Sequence, residues 1–208
     1  MVHPLPDLVP VSPDDIATVL TTPHAHKSAH DLRGRRVTGA LDLSGAMLGG
    51  FDMTGSVFEG PVRCDDVVFA GLTWLRGCRF LGGFSGRAAQ FAQDARFDDS
   101  MFTGTFDMSG ASFLGQMVLD GAHVEGAAFL DDLEVLGSLS LGRTAFDGPV
   151  SLEGTEALGG LWADRTAFRN RLTATGMEIH GRNWTRGARF ATGLPLPLQA
   201  LSYGYVWS

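Results

Sequence analysis

A repeat of eleven residues runs from Phe58 to Arg189, twelve times without an insertion or deletion. Its first position is usually phenylalanine, and glycine follows two residues later in most units. A short and constant period predicts a solenoid, in which each repeat buries its apolar side chains only against neighbouring repeats. The first positions are Phe58, Phe69, Phe80, Phe91, Phe102, Phe113, Val124, Val135, Phe146, Ala157, Phe168 and Ile179, and Phe190 begins a thirteenth unit.

Each repeat also has a second apolar station, at its fifth and seventh positions, as in Phe106 and Met108. Side chains two residues apart lie on one side of an extended segment. Each repeat is therefore predicted to form two very short strands, separated by corners at which glycine, Asn or Asp allows the turn. A helix is excluded, because glycine at this frequency would cost about 1 kcal/mol at each position.

The composition is typical of one soluble, elongated domain, with 208 residues, 44% of them hydrophobic, and 28 glycines. No apolar run approaches the length of about 18 residues that a membrane span needs, and the N-terminal residues do not resemble a signal peptide. We therefore expect a cytoplasmic protein without a membrane partner. Cys64 and Cys78 occupy inward positions of the repeat, which favours buried, reduced thiols over a disulfide.

Residues 46–60 consist of three consecutive pentapeptides, AMLGG, FDMTG and SVFEG. This pattern resembles the pentapeptide-repeat family, whose unit has a small residue, Asp or Asn, a central Leu or Phe, and two variable residues. The resemblance extends from about Val37 to Phe190, with one pentapeptide and one hexapeptide in each unit of eleven. It implies an all-β fold, a right-handed quadrilateral parallel β-helix, with two units and hence about 22 residues in each coil.

Three regions are predicted: an N-terminal segment with a capping helix (1–36), the β-helix (37–190) and an apolar C-terminal tail (191–208). Ser12 is expected to cap the helix, with Pro13 in its first position. Six to seven coils at the usual strand spacing would make a rod on the order of 30 Å long. The tail is expected either to cover the last coil or to pair with a second subunit in a homodimer, since an uncapped solenoid exposes its core.

One outward column of the predicted coil combines glutamates with leucines and adjoins Asp131 and Asp132. Like charges on adjacent strands are unfavourable, and contiguous exposed leucines are unusual on a monomer. The column is therefore a candidate partner surface, the alternative being a solvated edge whose side chains splay apart. Its members are Leu114, Glu134, Leu136, Glu156, Leu158, Glu178 and His180.

A second outward column carries three tryptophans. Tryptophan on a rigid scaffold is a common interface anchor, which makes this column a candidate ligand face. Alternatively, the corner bends and the indoles lie over neighbouring backbone. The column contains Trp74, Arg96, Val118, Ser140, Trp162 and Trp184, flanked by Arg76, Asp98, Asp120, Asp164 and Arg186.

Charge is distributed unevenly along the chain, whose net charge is −7. Between Phe97 and Asp164 there are twelve acidic residues and one basic residue, Arg143, whereas Arg165 to Arg189 contains six arginines and one acid. An acidic rod repels nucleic acid and attracts basic protein surfaces, so we expect no direct nucleic-acid partner. The best understood pentapeptide-repeat proteins are DNA mimics that bind type II topoisomerases such as DNA gyrase, and the resemblance implies the same role here.

The sequence contains no catalytic constellation. His24, His26 and His30 lie close together, but no cysteine or acid has the spacing of a metal site, so we predict a polar loop, no metal and no cofactor. His123 and His180 are expected to be solvated, near Glu125 and Glu178. The leading hypothesis is a non-catalytic acidic DNA mimic that binds gyrase and confers inhibitor resistance. The alternatives are a small-molecule-binding protein or enzyme that uses the tryptophan face, and a structural scaffold.

Overall fold

A computed structural model describes residues 8–22 and 29–199, and the backbone of 203–207, as a parallel β-solenoid. It has about eight turns of about 22 residues. Each turn carries four short strands, one on each of four faces, and equivalent strands of successive turns pair in parallel. Phe80, for example, lies in register with Phe58 on one side and with Phe102 on the other. The predicted solenoid, with two eleven-residue repeats in each turn, is confirmed.

The chain visits the faces, numbered 1 to 4, in that order. Face 1 contains β1 Val9–Val11, β3 Arg35–Val37, β7 Val57–Phe58, β11 Arg79–Phe80, β15 Met101–Phe102, β19 His123–Val124, β23 Ala145–Phe146, β27 Ala167–Phe168 and β30 Arg189–Phe190. Face 2 contains β4 Leu41–Asp42, β8 Val62–Arg63, β12 Phe84–Ser85, β16 Phe106–Asp107, β20 Ala128–Phe129, β24 Val150–Ser151 and β28 Leu172–Thr173.

Faces 3 and 4 are joined at the end of the rod by one longer strand, β29 Glu178–Trp184. Their hydrogen bonding therefore forms a single sheet of 15 strands, beside sheets of nine strands on face 1 and seven on face 2. Face 3 also contains β5 Met47–Leu48, β9 Val68–Phe69, β13 Gln90–Phe91, β17 Ser112–Phe113, β21 Glu134–Val135 and β25 Glu156–Ala157. Face 4 also contains β2 Ala29–Asp31, β6 Gly50–Asp52, β10 Thr73–Trp74, β14 Ala95–Arg96, β18 Met117–Val118, β22 Leu139–Ser140, β26 Leu161–Trp162 and β31 Tyr203–Trp207.

The rod has about eight turns, so the expectation of six to seven coils was wrong. Segments outside the eleven-residue repeat also form strands and lengthen the sheets. Upstream of the repeat, β1 pairs with β3 and β2 pairs with β6. Downstream, β31 pairs in parallel with β29. Eight turns at about 4.8 Å give a rod on the order of 40 Å long.

The first turn is covered by helix α1, Pro13–Thr21, which packs on β4 and β5. Ser12 is its N-cap, and the Ser12 hydroxyl accepts a hydrogen bond from the backbone N–H of Asp15. Pro13 occupies the start of the helix, where its missing N–H has no cost. The helix buries Ile16 and Leu20 against the solenoid, and the predicted short N-terminal helix is confirmed.

The described part of the C-terminal tail lies on the last turn of the same chain. Helix α2, Leu196–Gln199, contacts β29 and buries Leu198. The side-chain amide of buried Asn183 donates a hydrogen bond to the carbonyl oxygen of Leu198 over 2.8 Å. The tail thus covers the end of the core, while the homodimer stays a prediction.

Stacked phenylalanine rings fill the core in ladders that follow the rod. On face 1, Phe80 stacks between Phe58 and Phe102 with ring centroids 4.8 and 4.7 Å apart. On face 3, Phe91 stacks between Phe69 and Phe113 at 4.3 and 4.4 Å. Burial of each ring contributes roughly 1.5 to 3 kcal/mol, and the ladders hold the turns in register.

Glycine at the third position of the repeat allows the corners of successive turns to touch. A Cβ atom added at Gly148 would collide with the carbonyl oxygen of Gly126 on the preceding turn. The close approach, rather than an unusual φ angle, excludes a side chain there.

Both cysteines are buried and free, as predicted. Burial raises the pKa of the Cys78 thiol to about 12 and raises the pKa of Cys64 as well. The Cys78 thiol donates a hydrogen bond to the carbonyl oxygen of Met53.

Candidate functional site

Six carboxylates line the edge between face 2 and face 3 over three successive turns. Glu156 lies in register with Glu134 on one side and with Glu178 on the other. The stretches that form this edge, 130–136, 152–158 and 174–180, contain no lysine or arginine. We name this set the acidic edge: Asp131, Asp132, Glu134, Glu153, Glu156 and Glu178.

The fold positions these carboxylates through its corners. Asp132 has a φ of 51°, in the left-handed region, which Asp tolerates better than most residues. Asp131 accepts a hydrogen bond from the backbone N–H of Glu153 on the next turn, at 2.9 Å. The hydrogen bond thus holds the Asp131 carboxylate in place, and the corner sets the backbone of Asp132 beside it.

His180 adjoins the acidic edge at one end. Its Nε2 lies 3.3 Å from Oε1 of Glu156 and 3.4 Å from Oε2 of Glu178. One ligand atom from each of these three side chains lies within 4.8 Å of the others. The imidazole, predicted to be solvated, instead lies between two carboxylates.

An apolar strip of leucines adjoins the acidic edge on face 3. Leu114 is 62% exposed and Leu136 is 42% exposed, whereas Leu158 is half-buried. Leu136 lies two residues after Glu134, and Leu158 lies two residues after Glu156. Each leucine therefore lies on the same side of the extended segment as its glutamate. The structure therefore brings the residues of the candidate partner surface together, as one face with an acidic side and an apolar side.

The three tryptophans of the predicted ligand face lie on face 4, but they do not form one site. Trp74 on β10 is separated from Trp162 on β26 by three intervening strands, which corresponds to about 19 Å. Asp98, another predicted member of this face, is only 7% exposed and forms ion pairs with Arg96 at 2.5 Å and Arg76 at 3.8 Å. The Asp98 carboxylate therefore pairs with two arginines and does not project as a free ligand group.

Trp162 and Trp184 are adjacent and border an open cavity of about 630 Å³ at the edge between face 4 and face 1. Their rings stack with centroids 5.6 Å apart and planes inclined by 20°. The guanidinium of Arg182 lies 5.4 Å from the centroid of the Trp162 ring. We name this cavity the indole groove; it is lined by Asp120, Ser140, Gly142, Arg143, Trp162, Asp164, Arg165, Trp184, Arg186 and Gly187.

Hydrogen bonds fix the two carboxylates of the indole groove. Oδ1 of Asp120 accepts hydrogen bonds from the Ser140 hydroxyl at 2.6 Å and from the Gly142 N–H at 2.9 Å. Asp164 accepts a hydrogen bond from Nε of Arg165 at 3.0 Å. Both acids therefore have positions set by the backbone or by a neighbouring cation.

Sequence reasoning missed an ionic cluster on face 1. His123 Nε2 lies 2.8 Å from Oδ2 of Asp147, and Arg169 Nη1 lies 2.7 Å from Oδ1 of the same carboxylate. The expectation that His123 would be solvated near Glu125 was therefore wrong. The spacing of 22 residues between Asp147 and Arg169, one full turn, is the signal that indicates their proximity.

Of the N-terminal histidines, His24 and His26 lie outside the described residues, and His30 lies in β2 opposite Phe51. No protein family, curated protein or solved structure matches this chain. Among the described residues, neither helix is long and apolar enough to cross a membrane.

Proposed function

We propose that this protein is a non-catalytic binding protein of the pentapeptide-repeat type, whose acidic edge binds the basic, DNA-binding surface of another protein. DNA gyrase is the partner proposed here, and inhibitor resistance is the proposed consequence. The observation that carries the proposal is the acidic edge itself, with six carboxylates over three turns and no lysine or arginine in its stretches.

The spacing of these charges supports mimicry of DNA. The acidic edge presents three, two and one carboxylates on its three successive turns, an average of two per turn, and turns repeat about every 4.8 Å. Duplex DNA carries one phosphate per strand about every 3.4 Å along its axis. A basic groove that neutralises two rows of phosphates would therefore meet a comparable density of negative charge.

Rigidity also supports the proposal. Glu134 and Glu156 belong to strands paired on both sides, so these backbone positions are already ordered before a partner arrives. A preorganised surface loses little conformational entropy on binding. Charge complementarity speeds association and sets orientation, while contacts made by the exposed Leu114 and Leu136 add apolar burial.

The test is the affinity of the protein for gyrase, together with inhibition of supercoiling, at about 50 mM and about 200 mM salt. The variant D131N/D132N/E134Q removes three charges from the acidic edge. We expect it to weaken binding by roughly tenfold or more and to reduce the salt dependence, because fewer ion contacts form.

The matched control is D66N/D99N/E125Q, which removes three charges outside the acidic edge; Asp66 lies on the same edge of the rod, three turns before Asp132. Asp66 and Asp99 occupy left-handed corners with φ of 58° and 55°, as Asp132 does with 51°, so both variants place Asn at such a corner. The control is expected to bind like the unmodified protein. If both variants weakened gyrase binding equally, the effect would be due to net charge and not to the acidic edge. An absence of binding to gyrase would refute the proposed partner.

A further inference from the structure

The ladder of indoles on face 4 stops abruptly at Ser140. Trp184, Trp162 and Ser140 lie in register on neighbouring strands, and the two indoles stack on each other. On the turn of Ser140, the next outward position is Gly142. One turn thus presents two very small residues, whereas the following turn carries Trp162 and Asp164 at these positions and the preceding turn carries Val118 and Asp120.

The indole groove occupies this gap, since Ser140, Gly142 and Trp162 all line it. Trp162 has Trp184 on one side and the turn of Ser140 on the other. A flat aromatic ring placed against Trp162 on the Ser140 side would continue the ladder as a third rung. Offset stacking of this kind contributes about 0.5 to 1.5 kcal/mol beyond the burial of area.

The charges around the indole groove favour an anion. Two carboxylates, Asp120 and Asp164, face three guanidinium groups, those of Arg143, Arg165 and Arg186. Arg165 pairs with Asp164, whereas Arg143 and Arg186 form no ion pair with any described residue. The groove is therefore a locally basic site on a chain whose net charge is −7.

Arg143 is the better placed of these two cations. It lies at the corner directly after Gly142 with a φ of 58°, and its backbone N–H donates to the carbonyl oxygen of Asp164. The corner therefore has a fixed backbone beside the gap. A guanidinium can hold a carboxylate through two parallel hydrogen bonds.

We propose that the indole groove binds a planar aromatic carboxylate, with its ring stacked on Trp162 in the gap at Ser140 and its carboxylate held by Arg143. The acidic edge lies between faces 2 and 3, diagonally across the rod from the indole groove between faces 4 and 1. This ligand site is independent of the proposed protein partner.

The experiment is a calorimetric titration of the protein with 2-naphthoate, and with 2-naphthamide as an uncharged analogue of the same shape. We expect saturable binding of one naphthoate per chain and at least tenfold weaker binding of the amide. Absence of naphthoate binding, or equal affinity for the two compounds, would overturn the proposal.

Two variants locate the site. Ser140→Trp fills the gap with the missing rung and is expected to abolish naphthoate binding, whereas Ser112→Trp, an equivalent outward change on face 3, should leave it intact. Arg143→Asn tolerates the left-handed corner and is expected to weaken naphthoate binding at least tenfold with little effect on the amide, unlike Arg171→Asn at a different corner.

Thermal unfolding and circular dichroism establish that each variant is folded. If Ser140→Trp fails to fold, Arg143→Asn alone decides the question. Unchanged naphthoate affinity in a folded Ser140→Trp or Arg143→Asn protein would show that the ligand binds elsewhere and would refute the assignment. Gyrase binding by Ser140→Trp and Arg143→Asn is expected to be unchanged, so the two proposals fail or succeed separately.

Discussion

His123 and Asp147 join two successive turns on the outside of face 1, with Nε2 of the histidine 2.8 Å from Oδ2 of the aspartate. Arg169 on the following turn contacts the other oxygen of the same carboxylate. The hydrogen bond from His123, together with Arg169, lowers the pKa of Asp147 below its ordinary value of 3.8. The cluster therefore ties three turns together through a charged aspartate.

A pH dependence of stability follows from the lowered pKa of Asp147. A carboxyl group whose pKa is lower in the folded state stabilises the fold above its unfolded pKa, and this contribution is lost as pH falls through the folded value. We expect Asp147→Asn to be less stable than the unmodified protein at neutral pH, with a difference that shrinks below about pH 4. Urea unfolding across this range measures it, with Glu125→Gln as control, and a difference that is constant with pH would contradict the prediction.

Phe102 is fully buried and stacks on Phe80. Phe102→Ala should lower the free energy of unfolding by about 3 to 5 kcal/mol, because it leaves a cavity in the ladder. Phe129, 39% exposed on face 2, provides the control, since its truncation leaves no internal cavity. Chemical denaturation compares the two, and equal losses of unfolding free energy would contradict a special contribution of the buried phenylalanine ladder to stability.

Gly148 marks a corner at which two turns touch. Gly148→Ala is expected to destabilise the protein by about 1 to 3 kcal/mol, because the added methyl group must push apart the backbones of two turns. Gln93 occupies the same position of the repeat and is exposed, so Gln93→Ala should be close to neutral. A melting temperature for Gly148→Ala equal to that of Gln93→Ala would contradict the close approach.

The two cysteines provide a probe of core opening. Burial and the raised thiol pKa of Cys64 and Cys78 keep both in the unreactive protonated form, since only the thiolate is nucleophilic. We expect neither to react with an aromatic disulfide reagent at pH 8 in the folded protein, and both to react in guanidinium chloride. Rapid modification of the native protein would place at least one thiol at the surface.

Much of the fold could be predicted from local pattern alone. Alternation of side chains in short strands placed Phe80 and Phe106 inside, and the constant period placed Phe58, Phe80 and Phe102 in one column. The start of α1 was likewise readable, because a capping serine followed by proline acts through local hydrogen bonding and geometry. The columns Glu134–Glu156–Glu178 and Trp162–Trp184 follow from the same period.

The tertiary structure decided what depends on contacts between turns and across corners. Strands β1 and β2 lie outside the repeat, so only their pairing with β3 and β6 reveals about eight turns. Asp98 was expected at a ligand face, but it is enclosed by Arg76 and Arg96, and His123 reaches Asp147 instead of solvent. The sequence by itself determined which side chains face inward, because alternation and period are local properties. The tertiary structure decided which outward side chains contact one another, because the path of the backbone at the corners sets the direction in which each side chain points.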